Sequence, residues 1–167
     1  MPTFIVMQKF FSNTILFFLV ACNQPADKSI ELQLQVDSLQ HRMDNAYRPG
    51  LGEFMSSIQM HHAKLWFAGK NGNWELANFE MGEIQESIEN IQKYNRDRPE
   101  INSFPMIIPA LDSVKLAITQ KNTESFKSSF ILLTNTCNNC HRVSKHAFNL
   151  IRIPNAPPAT NQVFEKQ

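Results

Sequence analysis

The residue types and spacing with the most specific chemistry fall at Cys137-Asn138-Asn139-Cys140-His141. Two cysteines three apart on a helix share one face on neighbouring turns. They can form thioethers to the two vinyl groups of a single porphyrin. The histidine that follows then offers an imidazole nitrogen to the iron. Cys-x-x-Cys-His is the attachment spacing of c-type haem. The expectation is one covalent haem c, fixed through Cys137 and Cys140, with His141 as an axial ligand. Other chemistries use the same atoms. Cys137 and Cys140 can form a disulfide, although no βαβ pattern supports a thioredoxin-like site. Zinc can be held by Cys137, Cys140, His141 and His146, although zinc modules normally draw ligands from two separated pairs.

The third cysteine belongs to a different segment. Lys9 supplies a basic start, and Phe10 to Val20 are apolar except for Ser12, Asn13 and Thr14. Leu19-Val20-Ala21-Cys22 follows, with Met7 as a second candidate start. The apolar run is shorter than the roughly 20 residues of a membrane span. It resembles the lipobox of bacterial lipoproteins, in which Cys22 is lipidated after residues 1–21 are removed; an uncleaved anchor is the alternative. Either reading puts the chain outside the cytoplasm, tied to a membrane on its periplasmic or outer-membrane side. It also resolves the odd cysteine count. With Cys22 lipidated and Cys137 and Cys140 on haem, no thiol is left over.

Without residues 1–21, 146 residues remain, enough for one domain with a core. Lys plus Arg falls from 16 to 15, equal to the 15 Asp plus Glu. A neutral chain lacks the basic surface that nucleic-acid binding needs.

The elements that must position the motif read as helices. Residues 22–49 are a tether followed by a helix over Ser29–Tyr47, with Leu32, Val36, Leu39 and Met43 on one stripe. This helix suits a stalk, a short coiled coil or a partner for the main domain. Residues 50–146 carry four helical patterns. The first has Leu51, Met55, Ile58, His62 and Leu65, and ends at Gly69-Lys70-Asn71-Gly72. The second opens at Asn73 as N-cap, with Trp74, Ala77, Met81, Ile84, Ile88 and Ile91 apolar and the glutamates on a solvated face. Asn95–Phe104 reads as a polar loop. A third helix starts between Pro105 and Pro109, with Ile107, Leu111, Val114 and Ile118 inward. The fourth starts at Asn122 or Thr123, and its stripe of Phe126, Phe130 and Leu133 continues into Cys137 and Cys140. Spacings of three and four, with no sustained alternation, predict an all-α four-helix bundle. Residues 147–167 read as an extended, Pro-rich tail.

Four such helices with the haem motif near the end of the last one resemble the cytochrome c-prime and cytochrome c-556 group, over residues 50–146. Lys145 matches the basic residue that members commonly carry four positions after the haem histidine. Gln59 matches the Gln of their first-helix Arg-Gln pair, and the distal position three later is His62. Ile58 stands where the Arg would be. The resemblance implies a four-helix bundle of the cytochrome c-prime type, here with an extra N-terminal helix and the Pro-rich tail.

In that group an apolar distal residue leaves the iron open to gases, whereas a ligating one gives a six-coordinate electron carrier. His62 is the first candidate for the second axial ligand, with Met55, Met60 and His61 as alternatives. Trp66 and Trp74 read as core residues that could also wall the haem edge. The expected function is one-electron transfer at a membrane surface, without enzymatic activity. Candidate partners are redox proteins, the membrane through the lipid, a small gaseous ligand and a second copy of the chain. The rival readings are a gas-binding or sensing haem protein and a structural lipoprotein with zinc or a disulfide at the cysteines.

Overall fold

The computed structural model describes residues 26–44 and 46–166, so the signal-like segment and Cys22 lie outside the described residues. The chain divides into two compact units, Met1–Tyr47 and Arg48–Gln167. In the first, α1 spans Ala26–Asp44, and Leu32, Val36, Leu39 and Met43 on its stripe are exposed.

The second unit holds α2 (Leu51–Lys70), α3 (Trp74–Tyr94), a 3-10 segment (Pro99–Ile107), α4 (Ile108–Thr119) and α5 (Thr123–Val143). The protein is all-α, with no strand among the described residues. Helix α2 packs mainly on α3, and α4 on α5; α2 also touches α5, and α3 touches α4. Connections of three residues join each main pair, which makes the partners antiparallel. Predicted stripes become the core: Leu65, Met81, Ile84, Ile91, Val114, Phe126, Phe130 and Leu133 are almost wholly buried.

Local chemistry sets the helix ends. Asn73 Oδ1 accepts from the Leu76 amide at 3.2 Å, forming the predicted N-cap. Asn122, one of two residues read as the start of the last helix, caps it in the same way, its Oδ1 accepting from the Ser125 amide at 2.9 Å. Helices α2, α4 and α5 end alike. In α5 the His146 amide bonds back to the His141 carbonyl and the Lys145 amide to that of Arg142, with Lys145 at φ 65°. That is a Schellman termination, which turns the chain back over its own helix. Lys145 therefore acts as the left-handed residue of this turn.

Two expectations need correction. Asn95–Phe104 is not a polar loop throughout: from Pro99 the chain coils as a 3-10 helix that buries Phe104 and Ile107. Proline at the first positions of each segment supplies the φ a helix start needs, and Pro109 opens α4 rather than kinking it. Pro99–Thr119 is apolar and long enough to pass for a membrane span, yet Ala110, Leu111, Val114, Ala117 and Ile118 face the core. The glutamates of α3 are also not all solvated. Glu80 is fully buried between α3 and α2, where His61 Nδ1 lies 2.6 Å from its Oε2 and Lys64 Nζ 3.9 Å from its Oε1.

Candidate haem site

A cavity of about 340 Å³ opens where the C-terminal end of α5, the N-terminal half of α2, the 3-10 segment and the tail meet. Cys137, Cys140 and His141 all line it, together with Met55, Ile58, Gln59 and His62 of α2. Ile88, Phe104, Ile107 and Ile151 supply apolar wall. The volume lies within the roughly 300–1,000 Å³ typical of cofactor pockets.

Helix α5 presents the two thiols on one face because they continue its buried stripe; Cys137 is buried and Cys140 half-buried. Both are free thiols. Burial, with Cys140 nearby, pushes the Cys137 thiol up to about 12, and burial also raises that of Cys140. Thiol–disulfide catalysts depend on the opposite shift, towards thiolate. Among the described residues no three His, Cys, Asp or Glu side chains gather as a metal-binding group, so a four-ligand zinc cluster of Cys137, Cys140, His141 and His146 is not assembled.

The orientation of His141 comes from the tail. Its Nδ1 lies 2.5 Å from the Asn149 carbonyl oxygen. A carbonyl only accepts, so Nδ1 carries the proton and Nε2 keeps the lone pair. A backbone carbonyl on the far nitrogen is the usual way a metal-ligating histidine is held and made more basic. The donor set therefore fits a haem: two thiols one turn apart and a proton-free imidazole nitrogen beside one largely apolar cavity.

His62 is buried, with its ring centroid 4.4 Å from that of Phe130. Its Nε2 lies 2.9 Å from Thr134 Oγ1, and that hydroxyl donates to the Phe130 carbonyl at 2.9 Å. Burial pushes the imidazole down to about 4, so it is neutral. Met55 reaches the same cavity, whereas Met60 is exposed and does not line it. His61 points to Glu80 and, at 3.8 Å, to Glu83. Of the four candidates for the sixth position, the fold brings His62 and Met55 to the site and leaves Met60 and His61 off it. Trp66 stacks with Phe126 and lies tilted against Phe130, and Trp74 meets Phe126 edge-on; neither lines the cavity. Phe130 and Leu133, which precede the cysteines on the same stripe of α5, are core residues outside that lining.

Sequence reasoning missed a polar cluster on the cavity wall. Arg98 Nη2 donates to Glu100 Oε1 at 2.9 Å, and His146 Nε2 lies 4.0 Å from the same oxygen. The backbone N–H of Glu100 holds its carboxyl below the usual range, helped by Arg98 and opposed by burial. Thr134 was missed as well, although a hydroxyl one turn before Cys137 on the buried stripe is a readable signal. Asn149 carries none, because a backbone carbonyl contributes whatever the side chain.

Set against family models, curated proteins and solved structures, the chain matches none of them.

Proposed function

We propose that this chain is a c-type cytochrome that carries one covalent haem and passes single electrons. Cys137 and Cys140 hold the porphyrin as thioethers, and His141 Nε2 binds the iron. Helices α2 to α5 form a four-helix bundle of the cytochrome c-prime type, preceded by an extra helix and followed by the Pro-rich tail. Residues 1–21 direct export, and lipid on Cys22 confines the protein to a membrane near its redox partners.

One observation carries the reading: both thiols and a histidine whose Nδ1 proton is committed to Asn149 line the same apolar cavity. Bound haem supplies a one-electron ferric–ferrous couple. The chain contributes the rest. Ile88, Phe104 and Ile107 exclude water, Asn149 orients the ligand imidazole, and Arg98 with His146 offers cationic and hydrogen-bonding groups to the propionates. Intact-mass measurement of protein matured in a host that attaches haem c checks this. A mass increased by one haem, with a Soret band, is expected; two unmodified thiols overturn the proposal.

The bond from His62 to Thr134 favours a second reading, in which the sixth position is open or weakly held and receives a small gas. Carbon monoxide added to the reduced protein separates the two. Fast, tight binding means an accessible iron; slow, displacement-limited binding means a six-coordinate carrier.

A further inference from the structure

His62 is the candidate second axial ligand on α2 that lines the cavity, and its Nε2 already has a partner. Thr134 has one hydroxyl proton, and it goes to the Phe130 carbonyl, an atom that can only accept. Both contacts are satisfied together when Thr134 Oγ1 accepts from His62 Nε2, which is then the protonated nitrogen. Nδ1, the remaining lone-pair nitrogen, adjoins the carbon bearing Cβ and is the more hindered donor to a metal. Phe130 lies against the face of the same ring. Thr134 and Phe130 sit one and two turns before Cys137 on the helix that carries the attachment motif.

We infer that Thr134 is a positioning residue that latches His62 off the iron, and so sets the coordination state of the haem. The inference rests on the haem reading above. The latch is one neutral hydrogen bond in a buried setting. Its loss shifts an equilibrium of this kind by about five- to tenfold. With the latch closed, the imidazole is a neutral wall of the distal cavity. With it open, the imidazole can change tautomer through solvent, Nδ1 taking up a proton as Nε2 releases one, and Nε2 can then become a ligand. A hydroxyl on α5 thus decides between a gas-accessible iron and a bis-histidine electron carrier.

The test uses the haem-loaded full chain, after mass and Soret absorption have shown one haem attached; without attachment the haem reading itself fails. Wild type, Thr134→Val, Thr134→Ser and His62→Ala are compared by ferric EPR and by the rate of carbon monoxide binding to the reduced protein. Thr134→Val is expected to raise the low-spin bis-histidine fraction and to slow carbon monoxide binding at least fivefold. Adding His62→Ala to that variant should restore the wild-type rate. Thr134→Ser keeps the acceptor and should keep the wild-type spectrum. The inference is overturned if Thr134→Val matches wild type in spin state and rate. Should Thr134→Val fail to mature, His62→Ala alone decides. An unchanged ferric spin state supports the latch, and conversion of a low-spin wild type to high spin sinks it.

Discussion

Asn138 and Ile151 exchange two hydrogen bonds: the Asn138 amide donates to the Ile151 carbonyl, and the Ile151 N–H donates to Asn138 Oδ1, each at 2.8 Å. The side chain thus imitates a strand edge and pins the returning tail to the first variable position of the Cys-x-x-Cys-His motif. Two residues earlier in that tail, the Asn149 carbonyl meets His141 Nδ1. Fixing Ile151 fixes the acceptor that orients the proposed iron ligand.

Asn138→Ala removes both bonds and leaves the Ile151 main-chain groups to water. The expected loss is about 1–3 kcal/mol of stability, read by urea unfolding. Faster proteolytic release of the tail should accompany it. In the proposed haem protein His141 would lose its fixed carbonyl, and the potential should rise as the imidazole becomes less basic. A destabilised protein with an unchanged potential would show that the tail clamps the helix without tuning the ligand.

Glu80 is fully buried, with His61 against one carboxyl oxygen and Lys64 facing the other. His61→Ala removes the closer partner of the buried Glu80 carboxyl, leaves only Lys64 at 3.9 Å, and should cost about 1–3 kcal/mol. Glu80→Met, which removes the charge while filling the space, should cost much less. The double variant should fall well short of the sum of the single losses. Urea midpoints of the four proteins check this.

His62 gives a definite pH dependence. Its folded-state value of about 4 lies below the 6.5 of the unfolded chain. Above pH 6.5 both states are neutral and the residue contributes nothing. Between 6.5 and about 4 only the unfolded chain takes the proton, so stability falls with falling pH by about 1.4 kcal/mol per unit. The measurement is unfolding free energy at pH 7 and pH 5, wild type minus His62→Leu. That difference should move against wild type at pH 5.

Gly69 lets α2 approach α5. A Cβ there would collide with the ring of Phe126, and Phe126 is fully buried, so its ring has little room to move. Gly69→Ala should destabilise by about 1–3 kcal/mol despite the better helix propensity of alanine. Thermal unfolding reads it. A gain in melting temperature would mean that the ring can yield.

Much of this was legible in the chain alone because it depends on local periodicity. Spacings of three and four put Leu65, Ile84, Val114 and Phe130 inside their helices, and Asn73 announced the cap that opens α3. Cysteines three apart followed by histidine needed no fold to suggest a haem. Glu80 misled for a physical reason: a carboxylate beside an apolar stripe is solvated unless a neighbouring helix brings a cation, and helical spacing does not report that neighbour.

Sequence by itself determined the helices, their inward faces and the three chemically distinctive residues Cys137, Cys140 and His141. Tertiary structure decided what surrounds them, because those contacts join residues far apart in the chain. Met55 reaches the cavity whereas Met60 and His61 face elsewhere, the tail returns to give His141 its acceptor, and the His62 proton goes to a hydroxyl 72 residues away. Periodicity assigns a residue to a face; only packing chooses the atom that meets it.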